Sequence, residues 1–257
     1  MTAVERHDIQ SCAVLTLNRP AVRNAMNDEV VSALEQHLDA IAASELRAVI
    51  ITGSGKGFCA GTDLKEMMAL GYEGYQQRIG RMHRLLGRLR EFPCISIAAV
   101  HGPALGGGTE LAGACTFRVA SPDALFGLPE ILLGVMPCYG GTQNVTRLIG
   151  ESRALDLMLT GRTIDADEAL SMGLINRISG EHQSALDAAL ALAGQVSGFS
   201  AVAQWAIRTA TLAAGAGDIA AGLAIERQQA AIAFASEDAR EGVGAFLAKR
   251  EPRFRDR

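Results

Sequence analysis

Over the first 180 residues, short apolar runs alternate with amphipathic stretches. Residues 14–17, 49–52, 95–100, 117–120 and 174–178 are β-rich runs that read as strands. Between the first two, Val30, Val31, Leu34, Leu38 and Ile41 recur at three- and four-residue intervals behind Asn27, a residue suited to capping. That spacing predicts an amphipathic helix. The alternation as a whole predicts an α/β fold. From about Glu181 the strand signal ends, and Ala-rich, helix-forming sequence runs to Lys249, broken only near Gly198 and over 215–218. Large apolar residues are sparse in this helical C-terminal stretch, so it is expected to pack on another surface, an oligomer contact being one. Asp165-x-x-Glu168 ahead of Ala169-Leu170 reads as a capping box, with Gly173 ending the short helix.

Composition narrows the classes. The 257 residues are 49% apolar, enough for one large domain or a domain with a helical appendage. The 24 basic and 28 acidic side chains are interspersed and sum to -4, which argues against a nucleic-acid groove. The first residues carry no basic segment followed by an apolar one, and no apolar run reaches the roughly 18 residues of a membrane span, so a cytoplasmic protein without a membrane partner is expected. Cys12, Cys59, Cys94, Cys115 and Cys138 are scattered without a CxxC pair, which predicts reduced, mostly buried thiols. The histidines form no HExxH or i,i+4 pair, and no metal is expected.

Two glycine-rich segments sit where strands should end. In 50–64, Gly57 follows Gly55-Lys56 where a phosphate loop needs Ser or Thr. In 100–111, Leu111 stands where a dinucleotide fingerprint needs a third Gly or Ala. Both nucleotide readings fail. Gly106, Gly107 and Gly108 at the start of a helix could instead expose first-turn N–H groups to an oxyanion, or could simply form a tight turn. A hydrolase triad lacks its GxSxG elbow, and His101 reads as structural.

Four motifs then appear in order: Phe58-Cys59-Ala60-Gly61-Thr62-Asp63-Leu64; His101-Gly102-Pro103-Ala104-Leu105-Gly106-Gly107-Gly108-Thr109-Glu110-Leu111; Phe126-Gly127-Leu128-Pro129-Glu130; and Gly140-Gly141-Thr142-Gln143. With Leu17-Asn18-Arg19-Pro20 before them and Gly173-Leu174-Ile175 after, the chain resembles the enoyl-CoA hydratase/isomerase (crotonase) family over nearly its whole length. The resemblance implies a crotonase-like spiral of ββα units over residues 1–195 and a helical oligomerisation segment over 196–257, forming a homotrimer or a dimer of trimers. It implies an acyl-CoA substrate, with coenzyme A part of that substrate and no separate cofactor, and a place in the metabolism of fatty or cyclic acids. The backbone N–H groups of Ala60 and Gly107 would form an oxyanion hole. Glu110 would activate water, and Glu130 would protonate the α-carbon. Ala60, Gly61, Thr62, Asp63 and Leu64 would line the thiol arm and the entrance to the acyl pocket, beside Gly106 and Pro129. Arg19, Arg23 and Ala25 would lie in the adenine and phosphate region, and Lys249 could reach a neighbouring subunit's ligand. The nearest rival activity is a double-bond isomerase, which keeps the oxyanion hole but can use one carboxylate; a non-catalytic RNA-binding relative is a rival of another class. The sequence departs from the family at Cys138-Tyr139, where small residues are usual. The Cys138 N–H would hold the catalytic water, and the Tyr139 side chain is expected to narrow or redirect the acyl pocket.

Overall fold

The computed structural model describes residues 2–215 and 217–256. The chain divides into two units, with the boundary between Ala193 and Gly194. In the first unit, β1 (Val4–Ile9) and β2 (Cys12–Leu17) form an antiparallel pair, followed by α1 (Asp28–Ala42) and β3 (Ala48–Gly53). The helices α2 (Leu64–Ala69) and α3 (Gly71–Arg90) lead to β4 (Ile95–Val100), β5 (Pro103–Leu105) and α4 (Gly107–Ala114). Then come β6 (Phe117–Ala120), β7 (Leu125–Gly127), a 3-10 turn over Pro129–Leu133, α5 (Gly141–Ile149) and α6 (Glu151–Thr160). Finally β8 (Thr163–Asp165), α7 (Ala166–Met172) and β9 (Arg177–Ile178) precede α8 (Ala185–Ser197), which spans the boundary.

A six-stranded sheet has the order β1-β2-β3-β4-β6-β9, parallel except for the β1–β2 pair. Every residue of β3 and β4 is buried. Parallel strands covered on both faces need side chains that tolerate burial on both, which is why these segments read as continuous apolar runs. Leu15 stands opposite Ile51, Ile50 opposite Ile97, and Val100 opposite Ala120. A second sheet, β5-β7-β8, is built from three-residue strands. In α1 the five buried residues are Val30, Val31, Leu34, Leu38 and Ile41, and the Asn27 side chain accepts from the Val30 N–H at 3.1 Å. Each such side chain contributes about 1.5–3 kcal/mol by leaving water.

Several expectations change. The run 174–178 pairs only at Arg177 and Ile178. The N–H groups of Leu174 and Ile175 bond back to the Ala169 carbonyl, continuing the left-handed turn at Gly173 before any strand can start. The box at 165–168 is half made: Asp165 accepts from the Glu168 N–H at 2.8 Å, but Arg162 takes the Glu168 carboxylate at 2.8 and 3.1 Å. β1, with its sequence VERHDI, carries no apolar alternation; it is an edge strand, held by its ladder to β2.

The second unit contains α9 (Ala201–Ala213), α10 (Ile219–Ala235) and α11 (Glu237–Leu247). Ser200, Asp218 and Ser236 cap them by accepting from Ala203, Ala221 and Ala239. The break at Ser236 was not expected from the sequence; its hydroxyl supplies the cap that lets a new helix start there. The buried Asp238 carboxylate accepts the N–H groups of Arg255 and Asp256 at 2.7 and 3.0 Å, anchoring the terminal segment. Ile219, Leu223, Phe234 and Phe246 are exposed. No single helix among the described residues is long and apolar enough to cross a membrane.

Candidate active site

The chain leaves β4, forms β5 and turns at Gly106 into α4. Gly106 has φ +52°, and its N–H donates to the Gly127 carbonyl at 2.9 Å, tying the turn to β7. The Thr109 hydroxyl reinforces this by donating toward the carbonyls of Ala104 and Gly127, at 2.6 and 2.9 Å. Left-handed backbone favours glycine, and space demands it too: a Cβ on Gly106 would lie 2.8 Å from Glu130 Oε1. All of α4 is buried. Gly107 is its first residue, so its N–H has no partner within the helix, and among the described residues it donates to nothing.

Gly107 faces a cavity of about 100 Å³. Ala60, Gly61, Thr62 and Leu64 form one wall, Gly106, Gly107 and Glu110 a second, and Pro129, Glu130 and Cys138 a third. Residues of the first three motifs therefore converge on one cavity, and the fourth reaches it only through the Gly141 N–H on Glu110.

The expected oxyanion donor at Ala60 requires correction. Its N–H donates to the Arg23 carbonyl at 2.9 Å and cannot also bind a ligand. Two residues on, Met26 brackets Thr62: the Met26 N–H donates to the Gly61 carbonyl at 2.7 Å, and the Asp63 N–H donates to the Met26 carbonyl at 3.1 Å. This isolated parallel bridge leaves the Thr62 N–H without a partner among the described residues, on a residue that lines the cavity. Gly61 packs so closely that a Cβ there would lie 3.1 Å from the Gly107 nitrogen. Thr62 and Gly107 thus supply the unspent amides.

Glu110 is buried on α4, and its Oε1 accepts from the N–H groups of Tyr139 at 2.8 Å and Gly141 at 2.7 Å. Burial pushes its carboxyl up to about 7; the nearby Glu130 charge adds to the rise, and the two N–H groups oppose it. Glu130 sits in the 3-10 turn, and burial raises its carboxyl as well. Its Oε2 is buried without a hydrogen-bond partner among the described residues. Such an oxygen costs about 1–3 kcal/mol, the kind of expense expected at a functional site.

Cys138 presents its sulfur to the Tyr75 hydroxyl at 3.4 Å, and both residues line the cavity. Burial raises the Cys138 thiol. The Cys138 carbonyl accepts from His83 Nε2 at 2.8 Å; a carbonyl only accepts, so Nε2 carries the proton. Tyr139 differs from its expected place. It is 1% exposed, and its ring packs behind Gly107 and away from the cavity wall. Tyr75, Met67, Leu133, Val135 and Met136 complete the lining. None was marked in the sequence. Helical spacing of the buried Arg78, Met82, Leu85, Leu86 and Leu89 could have revealed α3, and with it Tyr75 on the same helix.

The remaining candidates lie elsewhere. Arg19 Nη1 bonds the Ala25 carbonyl at 2.6 Å and the Asp63 carboxylate at 3.0 Å, while Asp63 also caps α2. Arg19 and Asp63 are therefore committed to each other, and they brace the loop of Ala25 against the cavity segment. Arg23 lines a separate open cleft of about 710 Å³ with Lys56, and Ala60 borders both spaces. Lys249 is exposed in the C-terminal unit. Among the described residues, no group of three His, Cys, Asp or Glu side chains could hold a metal ion.

Comparison with known proteins identifies the family. The family profile described as enoyl-CoA hydratase/isomerase matches residues 8–257. A Mycobacterium bovis protein named "Probable enoyl-CoA hydratase echA8" is 42% identical over 254 residues, covering 96% of each chain. The 2,3-dehydroadipyl-CoA hydratase of Escherichia coli is 40% identical over 249 residues, again covering 96% of each. The crystal structure of an enoyl-CoA hydratase from Bacillus anthracis superposes with a TM-score of 0.94 at 32% identity, covering 99% of this chain and 100% of that one.

Proposed function

The chain belongs to the enoyl-CoA hydratase/isomerase family, and we propose that it is a hydratase, a hydro-lyase that reversibly adds water to a 2-enoyl-CoA thioester to give the 3-hydroxyacyl-CoA. The observation that carries this reading is the meeting of two carboxyls raised by burial, Glu110 and Glu130, at one cavity with the unspent amides of Thr62 and Gly107.

Attack of water oxygen on the β-carbon drives the π electrons toward the thioester oxygen. The Thr62 and Gly107 N–H groups receive that developing charge, each contributing about 2.7–4 kcal/mol to the transition state. Ionised Glu110 takes the proton from water. Glu130 gives one to the α-carbon as the enolate collapses; because its charge helps raise Glu110 in the free fold, this assignment requires the proton shared by the coupled pair to lie on Glu130 in the substrate complex. The balance is one water consumed: hydroxyl on the β-carbon, hydrogen on the α-carbon. One C–O and one C–H bond form at the expense of an O–H bond and the π bond, with no net oxidation or reduction, and the proton left on Glu110 returns to Glu130 through solvent, so the step draws on no group beyond the coenzyme A of the substrate. A base that must be ionised also predicts that turnover falls as pH drops below about 7.

The exposed Leu223, Phe234 and Phe246 of the second unit support a homotrimer or a dimer of trimers built through 196–257. The acidic charge balance counts against a nucleic-acid partner, and the family match supports a place in acyl-CoA metabolism, with a cytoplasmic location part of the same proposal. The deciding assay follows loss of the conjugated enoyl thioester absorbance of crotonyl-CoA. Rapid loss is expected, slowed about 10²–10⁴-fold in both Glu110→Gln and Glu130→Gln. Migration of the double bond without uptake of water would make the protein an isomerase instead.

A further inference from the structure

Tyr139 meets three parts of the site with three parts of itself. Its N–H donates to Glu110 Oε1 at 2.8 Å. Its ring lies against Gly107, where a Cβ would come within 3.1 Å of Cδ2 and 3.3 Å of Cε2. Its hydroxyl is buried beside the Thr62 side chain and the Arg78 guanidinium, without a well-formed hydrogen bond to either. Arg78 is itself buried, and its Nη2 donates to the Met26 carbonyl at 3.1 Å. That carbonyl also receives the Asp63 N–H, so the hydroxyl end abuts the bridge that leaves the Thr62 amide unspent.

We propose that Tyr139 is a positioning residue whose buried side chain holds both oxyanion donors in register with the base that its backbone N–H binds. The assignment rests on the hydratase reading above. The backbone N–H would reach Glu110 from any residue, so the side chain's own share is the ring and the hydroxyl. Glycine at 107 has no side chain with which to fix its own amide, and Thr62 hangs on a single isolated bridge. Both donors therefore need an external backstop. An aromatic ring has two side-chain torsions and, packed to 1% exposure, a single place to sit. Donors act only when held within about 0.5 Å of the productive geometry, and a misplacement of about 1 Å can cost on the order of 10²-fold in rate.

The test compares the wild-type protein with Tyr139→Leu and Tyr139→Phe. One measurement is the infrared carbonyl stretch of bound butyryl-CoA, a saturated thioester that cannot be hydrated; the other is kcat and KM for crotonyl-CoA. In Tyr139→Leu the bound carbonyl band is expected to move back toward its free position, and kcat to fall about 30–100-fold with KM little changed. Tyr139→Phe, which keeps the ring, should hold the band close to wild type and lose less than about fivefold in kcat. A Tyr139→Leu protein with a lowered Tm but an unmoved band and wild-type kcat would overturn the proposal, because a merely structural residue behaves that way. Should Tyr139→Leu not fold, Tyr139→Met supplies similar bulk without the flat ring and is judged by the same two outcomes. If the wild-type protein shifts the butyryl-CoA band yet hydrates no enoyl-CoA, the hydratase reading falls, and the band alone decides the assignment of Tyr139.

Discussion

The helices α4 and α10 are equally apolar on average and both rich in small residues, yet every residue of α4 is buried and none of α10 is. In α4 the small residues are fixed by neighbours: a side chain at Gly108 would overlap the Cys59 carbonyl oxygen, and one at Gly107 would press on Met26 and Tyr139. In α10, Gly222 has no neighbour within 4 Å of the place a Cβ would take. Similar composition thus serves opposite ends. In one helix smallness lets backbone segments approach one another; in the other it leaves small and large apolar side chains exposed together on a helix that packs on α9.

The largest stability effect expected of this contrast is at Gly108. Replacement by Ala forces the Cβ into the Cys59 carbonyl and must displace either α4 or the Phe58–Cys59 segment, for a loss of about 3 kcal/mol or more. Chemical unfolding would measure it. A cost below about 1 kcal/mol would mean that α4 can shift freely, and the rigidity asked of the Gly107 amide would go with it.

A smaller effect tests the buried charge that α4 carries. Glu110 titrates near 7 in the fold against an ordinary 4.5. A carboxyl raised on folding favours the protonated form, so its contribution is most favourable below about 4.5, worsens as pH rises toward 7, and is constant above that. Glu110→Gln keeps an oxygen for the Tyr139 and Gly141 N–H groups while removing the charge. It should leave stability at pH 4.5 nearly unchanged and raise it by about 1–3 kcal/mol at pH 8. Thermal melts at the two pH values decide; equal shifts at both would show that the Glu110 carboxylate is not destabilised by burial.

How much of this was legible beforehand follows the same division between local and distant causes. The covered strands β3 and β4 and the helix α1 announce themselves by period alone, and the glutamates were placed by motif. The oxyanion donor was misplaced by two residues because a motif locates a segment without saying which amide is spent. The Arg23 carbonyl that takes the Ala60 N–H lies 37 residues away by the subtraction 60 - 23. Tyr139 was read as part of the pocket wall for the same reason. Nothing local to Cys138-Tyr139 says that the thiol turns toward the cavity and the ring toward Gly107. The three-residue strands β5, β7 and β8 are too short to show a period, and they exist only through each other's ladders.

The smallest expected effect carries the sharpest sign. Gly222→Ala lies within α10 in open space, so in an isolated subunit it should stabilise the helix by roughly 0.5–1 kcal/mol. If position 222 is itself covered in an intersubunit surface packed to ordinary interior density, the added methyl group has no room, and the same change weakens the assembly. Melting curves at two protein concentrations, with the mass measured by light scattering, separate the cases. Stabilisation that does not depend on concentration would show that position 222 is free in the assembled protein as well. Destabilisation with a loss of mass would place α10 in the interface, and its small residues would then serve close approach just as those of α4 do.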